Sequence, residues 1–143
     1  MDVETYRLLF KPRYKMLCDF VKTQNKMHTF IHSCGSISLL MPDLIEAGME
    51  IINPVQTNAY GMKPDFLKME SGQQCTFWGS GIETAGTLNI GTPAKFRKQV
   101  PEQLKIFSKG GGFVFNTVLN ILSDVPPDNI IAMFDAVKEY NKE

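Results

Sequence analysis

The strongest constraint on the fold is the alternation of short apolar segments with longer amphipathic ones. Four short segments rich in β-branched and aromatic residues are predicted as buried strands, at residues 27–34, 50–55, 75–79 and 112–116. A segment with apolar residues at helical spacing precedes the first strand, and further helical segments follow the strands. This alternation predicts a parallel sheet with helices packed outside it.

Proline and glycine mark the boundaries of the predicted helices. The helices are expected at residues 4–24, 36–47, 63–71, 92–108 and 128–140. Gly48 and the run Gly110–Gly112 suit helix ends, whereas the prolines at the start of the later helices suit first turns. Pro12 is expected to divide the first helix, and Pro101 should cost about 3 kcal/mol unless its helix accommodates a kink.

The number of strand–helix units predicts half of a barrel. The units are about 25 to 35 residues long, as in a TIM barrel, whose eight units need about 250 residues. The 143 residues therefore suffice for one α/β domain over residues 1–143, a parallel (βα)4 half of a TIM (βα)8 barrel with one preceding helix. Such a half has two exposed edge strands, which need a cover or a pairing partner.

Composition narrows the classes of partner. Lys plus Arg and Asp plus Glu each number 15, so the formal net charge is zero and neither nucleic acid nor a membrane is expected as a partner. No apolar run is long enough to span a bilayer, and the first residues lack the pattern of a secretion signal. The three cysteines have no disulfide-like spacing, so the expected location is the reducing cytoplasm.

Polar side chains gather at the predicted carboxyl ends of the strands, where parallel α/β folds carry their chemistry. They are His32, Cys34, Asn53, Gln56, Glu83, Asn116 and Asn120. His32 and Cys34 are either two ligands of a metal or the packed end of a buried strand. Asn53 and Gln56 could orient a substrate or cap a strand end. Glu83 is a candidate substrate-binding residue, ligand or general base, or a solvated loop carboxylate, and Asn120 is a further candidate for substrate binding.

Five longer motifs follow one another along most of the chain. They are HSCGSISLLMPDLIEAGMEIINPVQTNAYGM, FWGSGIET, GTPAKF, KGGGFVFNTVLNI and DVPPDNIIAMFDAVKEY. In this order, from about Lys11 to Tyr140, they resemble the uroporphyrinogen decarboxylase superfamily. The family fold is a complete (βα)8 barrel, so the resemblance implies its C-terminal half: the last four strand–helix units and the helix before them.

Within that superfamily, the His-x-Cys pair is similar to a branch of zinc-dependent methyltransferases that move a methyl group from a corrinoid protein to a thiol. The resemblance implies that His32 and Cys34 bind zinc, with a further ligand on the last strand. Zinc prefers nitrogen and sulfur ligands, and a thiol bound to it loses its proton and becomes a nucleophile. The alternative activity is decarboxylation of a porphyrinogen in heme biosynthesis, which in that family needs no metal.

The chain also departs from the family pattern. Leu119 stands where the family has its further His or Cys, and leucine cannot bind a metal, so zinc affinity is expected to be weak or lost. Residues matching the family's N-terminal half, with the decarboxylases' catalytic Asp and substrate-binding Arg residues, are not found. Three alternatives stay open: an enzyme part that needs a complementary N-terminal half-barrel, a non-catalytic assembly module, or a truncated product. A homodimer is the expected assembly, and a corrinoid protein is a candidate partner.

Overall fold

Four parallel strands form a single sheet in the computed structural model of the protein, which describes residues 2–24 and 26–142. The strands are β1 (Phe30–His32), β2 (Ile51–Asn53), β3 (Thr76–Trp78) and β4 (Phe113–Val114). They lie side by side in sequence order, and each neighbouring pair is parallel. The strand prediction is confirmed in number, order and direction, but each hydrogen-bonded ladder is shorter than the apolar segment that predicts it.

Helical segments connect the strands. The helices are α1 (Val3–Thr5), α2 (Lys11–Lys22), α3 (Met41–Glu46), α4 (Pro64–Ser71), α5 (Pro93–Phe107) and α6 (Pro127–Tyr140). Two π-helical turns, Tyr6–Phe10 and Thr84–Leu88, add to them. Among the residues that the structure describes, no helix is both long enough and apolar enough to cross a membrane. As expected, Gly48 and Gly110 follow the ends of α3 and α5, with φ angles of 105° and 76°.

Prolines account for two differences between the predicted and observed helices. Pro12 does not divide the first helix, because a π-helical turn precedes it and is closed by the Lys11 N–H, which donates to the Tyr6 carbonyl. α3 begins at Met41 rather than at residue 36, since Pro42 fits the first turn of a helix but not its interior. Pro101, in contrast, lies inside α5 without ending it.

The hydrophobic core lies between the helices and one face of the sheet. Ile52 and Phe77 point to this face and are fully buried, and the Phe77 ring meets Phe107 of α5 edge-on at 5.5 Å between centroids. Successive strand residues point to opposite faces, so Phe30 and Trp78 lie on the opposite face, which we call the open face. Their rings contact each other at 5.6 Å, and Phe30 remains 48% exposed.

A buried carboxylate attaches the N-terminal helical segment to α3. Asp43 is only 4% exposed, and it accepts hydrogen bonds from Lys11 Nζ at 2.6 Å and from Arg7 Nε at 3.0 Å. Lys11 Nζ also contacts Glu46 at 2.7 Å. The hydrogen bond from Lys11, followed by the one from Arg7, holds the pKa of the Asp43 carboxyl below its usual value. This cluster therefore stabilises the packing of the first helix most strongly when Asp43 is ionised.

We expect the substitution Asp43→Asn to destabilise the chain at neutral pH and to have less effect in acid. The unfolded carboxyl has a pKa of about 3.9 and the folded one a lower value, so its stabilising contribution is complete above the unfolded pKa. That contribution is lost as the pH falls through the folded pKa. Urea unfolding from pH 7 to pH 2 measures the difference. Asp19→Asn, which removes an exposed pair with Lys15, is the control, and an equal loss of stability in both variants would contradict the prediction.

Candidate functional site

The carboxyl ends of β1 and β2 face the loop that follows β4 across a cavity of about 520 Å³. His32 and Asn53 line one side, where they are partners in the β1–β2 register. Residues 116–121 line the other side. The structure thus brings together His32, Asn53, Asn116 and Asn120, four of the polar residues that the sequence places at strand ends.

Asn53 connects three strands through its side-chain amide. Its Nδ2 donates to the Trp78 carbonyl at 3.0 Å, and its Oδ1 lies 2.7 Å from His32 Nδ1. A carbonyl can only accept, so the contact with Trp78 sets the orientation of the amide and leaves Oδ1 as an acceptor. In the neutral form of the His32 ring, Nδ1 therefore carries the proton and Nε2 has the lone pair. Asn53 itself is 8% exposed, which keeps water from competing for these bonds.

Cys34 lies beside the free nitrogen of this histidine. Its Sγ is 3.5 Å from His32 Nε2, and both side chains are exposed. β1 ends at His32, so Cys34 belongs to the loop after the strand rather than to the strand. The pair is therefore an accessible nitrogen and sulfur at the rim and not a packed strand end.

Gln56 positions the loop that carries Cys34. Its Oε1 accepts a hydrogen bond from the Gly35 N–H at 2.9 Å, and the Ser33 N–H donates to the Asn53 carbonyl at 2.7 Å. Gly35 has a φ of 86°, a conformation that few residues other than glycine adopt. Gln56 does not line the cavity beside His32. Its observed contact is structural, and a direct role in substrate binding stays a prediction.

Leu119 lines the same cavity as His32 and is 39% exposed. Thr84 fixes its backbone, because the Thr84 hydroxyl lies 2.8 Å from the Leu119 carbonyl and 3.2 Å from the Leu119 N–H. The position where the family resemblance implies a further metal ligand therefore belongs to the site but carries an apolar side chain. Within residues 2–24 and 26–142, no group of three or more His, Cys, Asp and Glu could hold a metal. His32 and Cys34 are thus a pair of donors.

Glu83 lies in a different place from the other candidate residues. It lines a second cleft, of about 410 Å³, together with Ser80, Gln99 and Gln103, and it does not line the cavity of His32. The sequence reasoning did not identify Ser80 or the two glutamines as site residues. The only signal for them is the i, i+4 spacing of the glutamines, which places both on one face of α5.

The three cysteines differ in their environment. Cys34 is exposed, whereas Cys18 and Cys75 are buried. Burial raises the pKa of the Cys18 thiol, and it raises the pKa of the Cys75 thiol to about 11. Because thiolates are the reactive form, Cys18 and Cys75 are expected to be inert in the folded chain.

Two comparisons identify proteins that this chain is similar to. A family model described as uroporphyrinogen decarboxylase (URO-D) matches residues 1–140. Among solved structures, a methyltransferase from Methanosarcina mazei matches with a TM-score of 0.76 and 20% sequence identity, over 99% of this chain and 38% of that chain. The chain thus spans well under half of the methyltransferase's length. A comparison with curated proteins gives no match. The structural likeness confirms the fold prediction of a half barrel.

We expect iodoacetamide to modify only Cys34 in the folded chain. Cys34 is accessible, whereas the other two thiols are buried and resist ionisation. Mass spectrometry of the native chain should show a single adduct, and peptide mapping should place it at Cys34. The chain unfolded in urea is the control and should carry three adducts. Modification of Cys18 or Cys75 at a comparable rate before unfolding would contradict this assignment of the buried thiols.

Proposed function

The chain belongs to the uroporphyrinogen decarboxylase family, and we propose that it carries the metal-binding part of a zinc-dependent methyltransferase site. In this proposal His32 Nε2 and Cys34 Sγ bind zinc, and a thiol is the methyl acceptor. The methyl donor is a corrinoid protein, as in the branch that the His-x-Cys motif resembles. The chain spans 38% of the methyltransferase with which its fold compares, and in this proposal a second copy of the chain supplies the rest of the site.

The distance between the two donor atoms supports this proposal most directly. Zinc binds imidazole nitrogen at about 2.0–2.1 Å and thiolate sulfur at about 2.3 Å, usually in a tetrahedron. A tetrahedral zinc with these bond lengths places its nitrogen and sulfur ligands about 3.6 Å apart. His32 Nε2 and Cys34 Sγ are 3.5 Å apart. This agreement in distance supports the proposal that the two side chains would hold zinc together.

The hydrogen bond from His32 to Asn53 is a second supporting observation. A histidine that binds a metal usually donates its other ring N–H to an oxygen, which fixes the ring and makes the free nitrogen more basic. Asn53 Oδ1 accepts that bond at 2.7 Å, and the contact of Asn53 with the Trp78 carbonyl holds the amide in place. Asn53 is therefore a positioning residue for His32.

The other side of the cavity suits an organic substrate. When zinc is bound, it lowers the pKa of a thiol that it coordinates. Leu119 offers an apolar wall, and Asn116 and Asn120, which carry side-chain amides, line the same cavity. In this proposal these amides hydrogen-bond a polar group of the substrate and orient it over His32. Asn120 thus keeps the substrate-binding role expected from the sequence.

Decarboxylation of a porphyrinogen is the second candidate, and the description of the matching family model favours it. That reaction needs no metal in the family, so it would leave the pairing of His32 with Cys34 without a chemical role. A non-catalytic assembly module is the third reading. Zinc binding distinguishes the methyltransferase proposal from both alternatives, because neither alternative depends on a nitrogen–sulfur donor pair.

A second copy of the chain completes the site in this proposal. In the described part of the chain, β1 and β4 are the edges of the sheet. The helices next to them in sequence expose apolar side chains: Met16, Leu17 and Phe20 on α2, and Ile131 and Phe134 on α6. Pairing β4 of each copy with β1 of the other would close eight parallel strands about a two-fold axis and cover the open face. It would also place two His32–Cys34 pairs at one rim.

We expect the chain to bind zinc through the His32–Cys34 pair. Titration in competition with a chromophoric chelator should show that His32→Ala and Cys34→Ser each abolish measurable binding. Asn53→Ala should weaken binding by about 10- to 100-fold, the usual effect of losing a partner behind a metal ligand. His28→Ala is the control, because His28 is 69% exposed and pairs with Glu50. Equal affinities of the native chain and Cys34→Ser would overturn the metal assignment.

The substitution Leu119→His in the same titration tests the shape of the cavity. It adds a nitrogen donor at the position that faces His32, so zinc affinity should rise well above that of the native chain. Leu122→His adds the same group to the same loop at a residue that is 64% exposed and does not line the cavity, and it should have no effect. If Leu119→His binds zinc no better than Leu122→His, the proposed geometry of the site is wrong.

Native mass spectrometry of the purified chain after exposure to zinc measures its assembly. We expect a dimer, because the edge strands and the exposed faces of α2 and α6 need partners. The variant Phe20→Glu should shift the population toward monomer, whereas Leu39→Glu, at an exposed residue outside both helices, should not. A monodisperse monomer at micromolar concentration would contradict the dimer and favour a complementary half-barrel from another polypeptide.

A further inference from the structure

The second cleft lies between two loops and α5, and it shares no lining residue with the His32 cavity. The loop after β3 contributes Ser80 and Glu83, and α5 contributes Gln99 and Gln103. Thr57, from the loop after β2, also lines it. The volume of about 410 Å³ is within the range of small-molecule sites, about 300–1,000 Å³. It is large for a single bare ion.

Four buried oxygen atoms in this cleft have no hydrogen-bond partner. They are Ser80 Oγ, Glu83 Oε2, Gln99 Oε1 and Gln103 Oε1. Buried polar atoms in folded proteins are normally paired, so a single cleft with four unpaired ones requires an explanation. Ser80 is itself 2% exposed, which means that its hydroxyl is built into the wall of the cleft rather than left at the surface.

These atoms come from two elements, the loop after β3 and α5. Gln99 and Gln103 are four residues apart on α5 and therefore lie one above the other. Ser80 has a φ of 58°, in the left-handed region that a residue with a side chain seldom occupies. This conformation, in a Gly-Ser-Gly sequence, directs the chain from β3 into the loop that carries Glu83.

The chemistry of the four atoms selects the ligand. Glu83 Oε2 and the two glutamine Oε1 atoms accept hydrogen bonds, and the Ser80 hydroxyl accepts as well as donates, so a ligand that donates several hydrogen bonds can pair with all four. Glu83 carries the one formal negative charge, and no basic side chain is among the described residues that line the cleft. A protonated primary amine has three N–H donors and a single positive charge, which match this set. We propose that this cleft binds a small organic molecule through a protonated primary amine.

The proposal does not depend on the zinc site. Ser80, Glu83, Gln99 and Gln103 do not line the cavity of His32, and neither His32 nor Cys34 lines the cleft. Glu83, which the sequence reasoning considered as a metal ligand or general base, is in this proposal the counter-ion of the amine. The substitution His32→Ala would therefore remove zinc binding and leave amine binding intact. The zinc proposal and the amine proposal can fail independently of each other.

The test is an NMR titration of the purified, ¹⁵N-labelled chain with propylammonium chloride as the probe. The amide signals of residues 80–83, 99, 100, 102 and 103 should shift and saturate together. n-Propanol, which keeps the alkyl chain but lacks the charge, should give no saturable shift there. Potassium chloride and calcium chloride are titrated separately at matched ionic strength.

Two variants give opposite expected changes in affinity for propylammonium. Glu83→Gln keeps the shape of the side chain and removes its charge, so affinity should fall by about tenfold or more, as expected for the loss of one charge-assisted hydrogen bond. Gln103→Glu adds a second carboxylate and should raise the affinity. Gln74→Glu adds the same charge at an exposed residue outside the cleft and is the matched control.

The outcomes separate the proposal from its alternatives. Saturable shifts with propylammonium that weaken in Glu83→Gln and strengthen in Gln103→Glu support it. A saturable response to potassium or calcium but not to propylammonium would replace it with an inorganic cation site. No saturable response, or equal responses to propylammonium and n-propanol, would overturn it. If Glu83→Gln does not fold, the comparison of Gln103→Glu with Gln74→Glu decides.

Discussion

The architecture depends on one constraint, which is that parallel strands need crossover connections. In this chain the crossover connections contain helices, and the core between these helices and the strands lies on one face of the sheet. The carboxyl ends of all four strands therefore meet at a single rim, where His32 and Asn53 are neighbours in register. The opposite face of the sheet carries Phe30 and Trp78, whose rings contact each other. The candidate site and the open face are thus both consequences of the parallel topology of the sheet.

The Asn53 amide makes the rim chemically specific. Its bonds to His32 Nδ1 and to the Trp78 carbonyl connect the ends of β1, β2 and β3. The register of these strands therefore selects one tautomer of the neutral His32 imidazole. The same geometry brings Cys34 Sγ within 3.5 Å of the free nitrogen. Leu119 lies on the facing wall, at the position where the family resemblance implies a further donor.

Much of the fold was predictable from the sequence, because the spacing of apolar residues and the positions of proline and glycine carry that information. The apolar segments predicted four strands, and prolines and glycines predicted most helix boundaries within a few residues. The errors have local causes. The start of α3 was wrong because Pro42 excludes a longer helix, and the π-helical turn Thr84–Leu88 was missed because its sequence has no apolar period. Pro12 was tolerated through a widened turn that no residue pattern indicates.

For the candidate site, the sequence by itself determined which residues stand at the ends of strands and that His32 and Cys34 are two residues apart. Tertiary structure decided the rest, because it alone brings together atoms that are distant in the chain. It joined Asn53 to His32 across 21 residues, set Leu119 opposite them, and used Gln56 to hold a loop. It also separated Glu83 from that group and placed it in a cleft with two glutamines of α5.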